Sequence, residues 1–309
     1  MHERQRQGRA RMEIGMVHQV QRSAFGICAV GLKGAEYLDS LIKGGGAPEA
    51  VFSYRQPDDI SKGFDRIADL SRVCGIRFRE TKLPEYNNNK PLFFVGWQYL
   101  VKELRDNFIV FHDSLLPRYR GFAPTVNALI NGETRLGVTA FRPREGTDSG
   151  PIIGQSDMPI SYPIRIEQAL QLQAGLMANL TMDILSRYQA GPLVAVEQDH
   201  AAATYSIWRN EQDYEIDWSQ SATDIRRMVD AVAFPYAGAT TQLDGETLVV
   251  DAASEVEDLT FEVRHPGKVW RFDQGKPVIV CGRGLLRLDR VLTRSGEIYV
   301  FERLRVRLS

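Results

Sequence analysis

Between residues 25 and 155, short apolar runs alternate with stretches whose apolar side chains recur every third or fourth position, and that alternation admits few folds. Phe25 to Val30 reads as a first strand. Gly31 to Gly34 makes a turn, and Ala35 to Ile42 a short amphipathic helix ended by Gly44, Gly45 and Gly46. A second strand runs from Ala50 to Tyr54. Ile60 to Val73 then places Phe64, Ile67, Leu70 and Val73 on one helical face. Ile76 to Arg79 is a third strand and Pro84 to Lys90 a polar loop. Leu92 to Val95 is a continuous apolar run of the kind a parallel sheet buries on both faces. Strands separated by helices predict an α/β domain with a doubly wound, mostly parallel sheet. The Gly31-Leu32-Lys33-Gly34 turn lacks the GxGxxG spacing, so no dinucleotide site is assigned.

Chemistry concentrates in residues 108–150. Phe108 to Phe111 reads as a buried strand ending at His112, which puts an imidazole at a strand's carboxyl end. In open α/β sheets ligands bind in the crevice outside those ends. Ser114 and Pro117 follow, then a loop with Arg118, Tyr119, Arg120, Gly121 and Phe122. Pro124 suits the first turn of a helix, where its missing N–H costs nothing, and Asn131-Gly132 marks the stop after Ile130. Gly137 to Phe141 is a further strand, and the loop after it carries Thr147, Asp148 and Gly150. Taken alone, a strand-end His is more often structural than catalytic, and Asp-Ser-Gly is ordinary turn chemistry.

After Gln155 the pattern changes. Ile166 to Tyr188 is a long helix with a buried stripe of Leu170, Leu172, Leu176, Leu180, Ile184 and Leu185, ended by Gly191-Pro192. Residues 200–216 read as a linker, and Ala222 to Ala233 as a helix that Ser219 or Ser221 caps. Turn signals at Asp244-Gly245, Pro266-Gly267, Gln274-Gly275, Gly282 to Gly284 and Ser295-Gly296 predict a small β-barrel. The division expected is a polar, basic leader at 1–22, an α/β domain at 23–200 and a β-rich domain at 206–309.

A net charge of −1 leaves no global basic field to attract nucleic acid. Cys28, Cys74 and Cys281 are widely spaced with no CxxC, which argues against both a disulfide framework and a zinc site. No metal is expected, and a reducing, cytoplasmic setting fits. The leader holds no apolar core of signal-peptide length. No stretch approaches the ~20 apolar residues that cross a bilayer, so no membrane partner is expected.

The string HxSLLPxxRGxxP from His112 to Pro124, the Asn131-Gly132 stop, Gly137-Val138-Thr139 and the Asp148-x-Gly150 pair resemble the folate-dependent formyltransferases. That family includes enzymes acting on methionyl-tRNA, on glycinamide ribonucleotide and on amino sugars. The resemblance covers most of the chain and is most specific between Phe108 and Gln155. IDWSQSATDI, PYAGA, HPGKV and VCGRG, in that order, are similar to the family's C-terminal, OB-like domain. The resemblance implies a Rossmann-like formyltransferase domain followed by an OB-like barrel, with N10-formyltetrahydrofolate as formyl donor. It also implies a catalytic set of Asn-x-His and a later Asp. His112 and Asp148 match in type and spacing, and the Asn position is Val110.

Formyl transfer needs a proton moved from the attacking amine to the leaving nitrogen, a task for an imidazole of near-neutral pKa oriented by a carboxylate. His112 and Asp148 are assigned those roles. Val110 cannot donate a hydrogen bond to the formyl oxygen, and loss of one such donor typically costs ~10²–10³ in rate. A backbone N–H, Asn127 or protonated His112 is left to substitute. The resemblance places the folate against Gly96, Trp97, Gln98, Tyr99 and Leu100, under a loop running to Thr147. On the acceptor side it places Ser114, Arg118, Tyr119, Arg120, Gly121, Phe122 and Pro124.

The acceptor is the open question. Residues 206–309 carry fourteen Lys and Arg against seventeen Asp and Glu, and the segment Trp208 to Trp218 sets Glu211, Asp213, Glu215 and Asp217 against Arg209. A polyanion needs many phosphate contacts. The reading favoured is therefore a small acceptor, the amine of a nucleotide-linked amino sugar, with methionyl-tRNA second. A folate-binding protein that lost catalysis with its Asn is third. A homodimer is allowed.

Overall fold

The computed structural model describes residues 23–57, 59–87, 89–99 and 104–309. The leader expected at 1–22 and the cofactor-side Leu100 lie outside the described residues.

The first half opens with β1 (Ser23–Ala29), α1 (Gly31–Lys43), β2 (Pro48–Ser53), α2 (Gly63–Val73), β3 (Arg77–Glu80), β4 (Leu92–Val95) and β5 (Phe108–His112). It continues through β6 (Arg120–Gly121), α3 (Pro124–Ile130), β7 (Arg135–Phe141), β8 (Ile152–Pro159) and α4 (Ile166–Ala190). Seven strands form one sheet in the order β3-β2-β1-β4-β5-β7-β8. The first five are parallel, and β7 runs antiparallel to both its neighbours, β5 and β8.

Alternation along each strand splits the core in two. Ile27, Phe93, Ile109 and Phe111 point to the face covered by Tyr37 and Leu41 of α1, Ile67 of α2 and Met177 and Ile184 of α4. Cys28, Phe52, Phe94 and Phe108 point to the other face, where Tyr86, Trp97 and Val110 pack against them. Among the described residues the cover on that second face comes from connecting segments. The strand order reverses direction once, between β1 and β4, which opens a crevice outside their carboxyl ends.

The second half contains β9 (Tyr205–Ser206), α5 (Ala222–Ala231), β10 (Ala239–Leu243), β11 (Glu246–Val256), β12 (Val269–Asp273), β13 (Lys276–Val280) and β14 (Leu285–Thr293). Ser221, not Ser219, caps α5: its hydroxyl accepts the Asp224 N–H at 3.1 Å. Five strands form an antiparallel sheet, β10-β11-β14-β13-β12. Asp244-Gly245 and Gln274-Gly275 turn two of its hairpins with both φ values positive, as a tight two-residue hairpin requires. The chain end then joins the sheet's two edges. Ser309 exchanges hydrogen bonds with Gln242 of β10 at 2.7 and 3.1 Å, while the Leu308 N–H donates to the Gly267 carbonyl at 2.8 Å just before β12. This closure is what makes the sheet barrel-like.

The two halves share one apolar cluster. Val126 and Leu129 of α3 and Ile166 and Leu170 of α4 pack with Ile225 and Val229 of α5 and with Val250, Leu286 and Val291 of the second sheet. A short parallel pairing of β6 with β9, through Arg120 with Tyr205 and Gly121 with Ser206, adds a polar tie. Among the described residues no helix is long and apolar enough to cross a membrane.

Candidate active site

His112 is the last residue of β5, at the crevice, and is 7% exposed. Its Nε2 lies 2.7 Å from the Tyr119 carbonyl oxygen. A carbonyl can only accept, so Nε2 carries the ring proton and neutral His112 leaves a lone pair on Nδ1. That lone pair faces Asp148, with Nδ1 3.5 Å from Oδ2. The same Oδ2 accepts the Gly121 N–H at 2.8 Å. One proton placed between Nδ1 and Oδ2 satisfies both groups, so the pair is built to take up and release a single proton.

Burial lowers the His112 pKa below the usual imidazole value. The Asp148 charge and the Tyr119 carbonyl oppose this, and the Lys33 charge adds to it. Lys33, in the first turn of α1, reaches into the crevice and contacts the carboxylate of buried Asp113, the residue after His112. Burial pushes the Lys33 ammonium down to about 8. Neutral imidazole is therefore the prevailing form at neutral pH.

Two of the residues expected on the acceptor side are committed inside the protein. The Ser114 hydroxyl donates to the Arg118 carbonyl at 2.6 Å and so shapes the loop. Arg120 is buried, with Nε and Nη2 donating to Gln198 Oε1 at 3.2 and 2.6 Å. Gly121 has φ +102, and a Cβ there would sit 2.3 Å from the Ser206 carbonyl. Pro124 opens α3 as its first residue.

The others stand at the surface. Arg118 pairs with Glu133 and lies over the Tyr119 ring, 5.1 Å from its centroid. The Tyr119 hydroxyl donates to Glu133 at 2.7 Å, and Phe122 is exposed. Asn127 is spent: its Nδ2 donates to the Ala123 carbonyl at 3.0 Å and its Oδ1 accepts from Arg209 at 2.8 Å.

Among the residues expected on the donor side, Gly96 turns the chain with φ +65 after β4. The Trp97 ring meets Tyr54 edge to face at 4.9 Å, and Tyr54 meets Tyr99 at 4.8 Å. Gln98, Tyr99 and Thr147 are exposed. Trp97 Nε1 is buried without a hydrogen-bond partner in the structure. These edge-to-face aromatic rings, with the unspent Trp97 Nε1–H, offer apolar and donor surface to a planar, polar ring such as a pteridine. Lys33, Asp113 and Gln198 were not singled out from the sequence. Nothing in a GLKG turn or a polar linker announces that they converge on the strand end.

Residues 97–172 match the family description "Formyl transferase", and residues 209–302 match "Formyl transferase, C-terminal domain". A methionyl-tRNA formyltransferase of Roseiflexus sp. is 35% identical over 184 residues, 60% of this chain and 56% of that enzyme. The chain thus matches a little over half the length of that curated relative. HypX from Aquifex aeolicus has the same fold at a TM-score of 0.60 and 15% identity, covering 91% of this chain and 48% of that one. An N-formyltransferase from Helicobacter canadensis, solved with folinic acid and dTDP-3-aminofucose, superposes with a TM-score of 0.59 at 13% identity, covering 90% of this chain and 100% of that one. With both the N-terminal and the C-terminal parts of the family matched along the chain, this chain belongs to the formyltransferase family.

Proposed function

We propose that the protein transfers a formyl group from N10-formyltetrahydrofolate to a primary amine, most readily that of a nucleotide-linked amino sugar. The observation that carries this reading is the His112–Asp148 pair, 3.5 Å apart at the carboxyl end of β5. On this reading residues 23–200 form the catalytic domain and residues 206–309 an OB-like domain.

The donor supplies an activated formyl carbon. The chain's own residues handle the proton. The acceptor amine attacks uncharged and loses a proton as the new C–N bond forms. His112 Nδ1, unprotonated at neutral pH, takes that proton with Asp148 opposite to stabilise the imidazolium. The proton then passes to the folate nitrogen as its bond to the formyl carbon breaks. The Tyr119 carbonyl keeps Nε2–H occupied, so Nδ1 is the nitrogen that works. Trp97 and Tyr99 wall the donor, and the loop through Thr147 lies beside it.

A small acceptor is favoured by the acidic connection between the two halves. Glu211 and Asp213 lie exposed in a short turn capped by Asn210, and Arg209 is held by Asn127. A polyanion gains nothing there. The family resemblance to a named methionyl-tRNA formyltransferase favours tRNA as the second reading. Incubation with N10-formyltetrahydrofolate and either a panel of dTDP-, UDP- and GDP-amino sugars or charged initiator tRNA separates them, with formylated acceptor read by mass spectrometry. Product from an amino sugar, absent in His112→Asn, supports the first. Product from tRNA alone, with affinity falling by decades between low and moderate salt, replaces it with the second. Folate binding without transfer to any amine would leave a binding protein.

A further inference from the structure

We propose that Gln198 is a positioning residue of this site, holding the Asp148 backbone where its carboxylate faces His112. Gln198 belongs to the segment between α4 and β9, far in sequence from the string that carries His112 and Asp148, and is 5% exposed. Its Nε2 donates to the Asp148 carbonyl at 2.8 Å and to the Gly150 carbonyl at 2.6 Å. Its Oε1 accepts twice from Arg120, at 3.2 and 2.6 Å. Both amide hydrogens and both oxygen lone pairs are used.

Asp148 needs such a hold. Its φ is +46, a left-handed conformation that among non-glycine residues mainly Asp and Asn adopt, and then only where local contacts hold it. Gly150 follows in a turn so tight that a Cβ would sit 1.8 Å from the Arg142 carbonyl. Gln198 grips both ends of this turn by their carbonyls. Arg120, on the other side of Gln198, precedes Gly121, whose N–H bonds the Asp148 carboxylate at 2.8 Å. The result is a closed ring: Asp148 carbonyl, Gln198, Arg120, Gly121 N–H, Asp148 carboxylate. Arg120 also reaches His200 Nδ1 at 3.1 Å, which ties the ring to the next turn of the same segment. A planar carboxamide serves two carbonyls and a guanidinium at once. A carboxylate there would keep Arg120 but face both carbonyls with no hydrogen to offer.

The kinetic consequence rests on the formyltransferase reading, whereas the effect on His112 titration does not. The test is therefore NMR titration of the His112 ring in Gln198→Met and Gln198→Asn, both uncharged, each alone and combined with Asp148→Asn. Loosening Asp148 weakens the charge that supports the imidazolium, so the His112 midpoint should fall by about half a pH unit or more in either single variant. In the Asp148→Asn background the same change should move it no further, as expected for a residue acting through another. Turnover should fall about tenfold or more while KM for the formyl donor stays within about twofold. Gln198→Asn keeps an uncharged amide too short to span Arg120 and both carbonyls, and is the variant to read if Gln198→Met does not fold. A His112 midpoint unchanged in a folded variant overturns the proposal, as does an equal shift with and without the Asp148 carboxylate. Loss of turnover in every protein with the titration shifts intact would instead remove the assigned activity and leave the positioning role standing.

Discussion

The His112 ring is held from both sides, with the Tyr119 carbonyl oxygen 2.7 Å from Nε2 and Asp148 Oδ2 3.5 Å from Nδ1. The first contact selects the tautomer and the second supplies the proton's other resting place. Neither partner is adjacent to His112 in sequence: the Gly121 N–H binds Asp148, and Ser206, paired with Gly121, donates its hydroxyl to the Tyr119 carbonyl at 3.3 Å.

Replacing His112 with Asn should leave the fold intact and reduce turnover by ~10² or more, the usual loss for a general acid–base group. Circular dichroism and steady-state kinetics check this together. Near-normal turnover in a folded variant would remove His112 from the mechanism.

The pH dependence carries a sign. His112 must be unprotonated to take the amine's proton, so kcat should rise through a limb below pH 6.5 and level off above it, because burial lowers the His112 pKa. Lys33→Gln removes a positive charge that disfavours the imidazolium, so the limb should move to higher pH. Asp148→Asn removes a negative charge that favours it, so the limb should move to lower pH. Shifts in the same direction would contradict the charge arrangement. The same depression means the unfolded chain takes up His112's proton first as pH drops below 6.5. Folding stability should therefore fall over that window, and less so in His112→Asn.

Val110 packs with Phe94, Phe108 and Trp97 where the family resemblance places an amide. Asn127 is occupied and does not replace it. Val110→Asn should therefore raise formyl transfer, by about tenfold and up to the ~10²–10³ that one oxyanion donor supplies. An unchanged rate in a stable variant would show that another donor, such as the unpartnered Trp97 N–H, already does this work.

Closure of the second sheet rests on the chain's last residues. Leu308 is 1% exposed in the shared core, whereas Leu304 is 48% exposed. Leu308→Ala should cost about 2–5 kcal/mol in urea unfolding, and Leu304→Ala less than about 1 kcal/mol. Equal costs would mean that the tail does not close the barrel.

Strand β4 and helix α3 stand where their sequences put them, from Leu92 to Val95 and from Pro124 to Ile130. A continuous apolar run and a Pro start with an Asn-Gly stop are local signals, complete within a few residues. Hairpin turns at Asp244-Gly245 and Gln274-Gly275 were legible for the same reason. The family was legible because its motif spacing runs along the chain, and the same spacing pointed to His112 and Asp148, which the fold brings 3.5 Å apart. Strand β8 was not: Ile152–Pro159 is half polar, and only pairing with β7 makes it a strand. The two-residue pairing of β6 with β9 has no periodicity to read.

Side-chain commitments are a further step removed from sequence. Ser114 and Arg120 look, in sequence, like a hydroxyl and a cation offered to a ligand. In the folded protein Ser114 is spent on Arg118 and Arg120 on Gln198. Which polar groups face the crevice depends on which partners arrive from elsewhere. Lys33 reaches Asp113 from eighty residues away, and Gln198 reaches Asp148 from fifty. A local pattern can therefore name the candidate pair, because its spacing lies along one segment. Tertiary structure alone decides what holds that pair in place, because burial forces each polar group to find whichever partner the fold brings near.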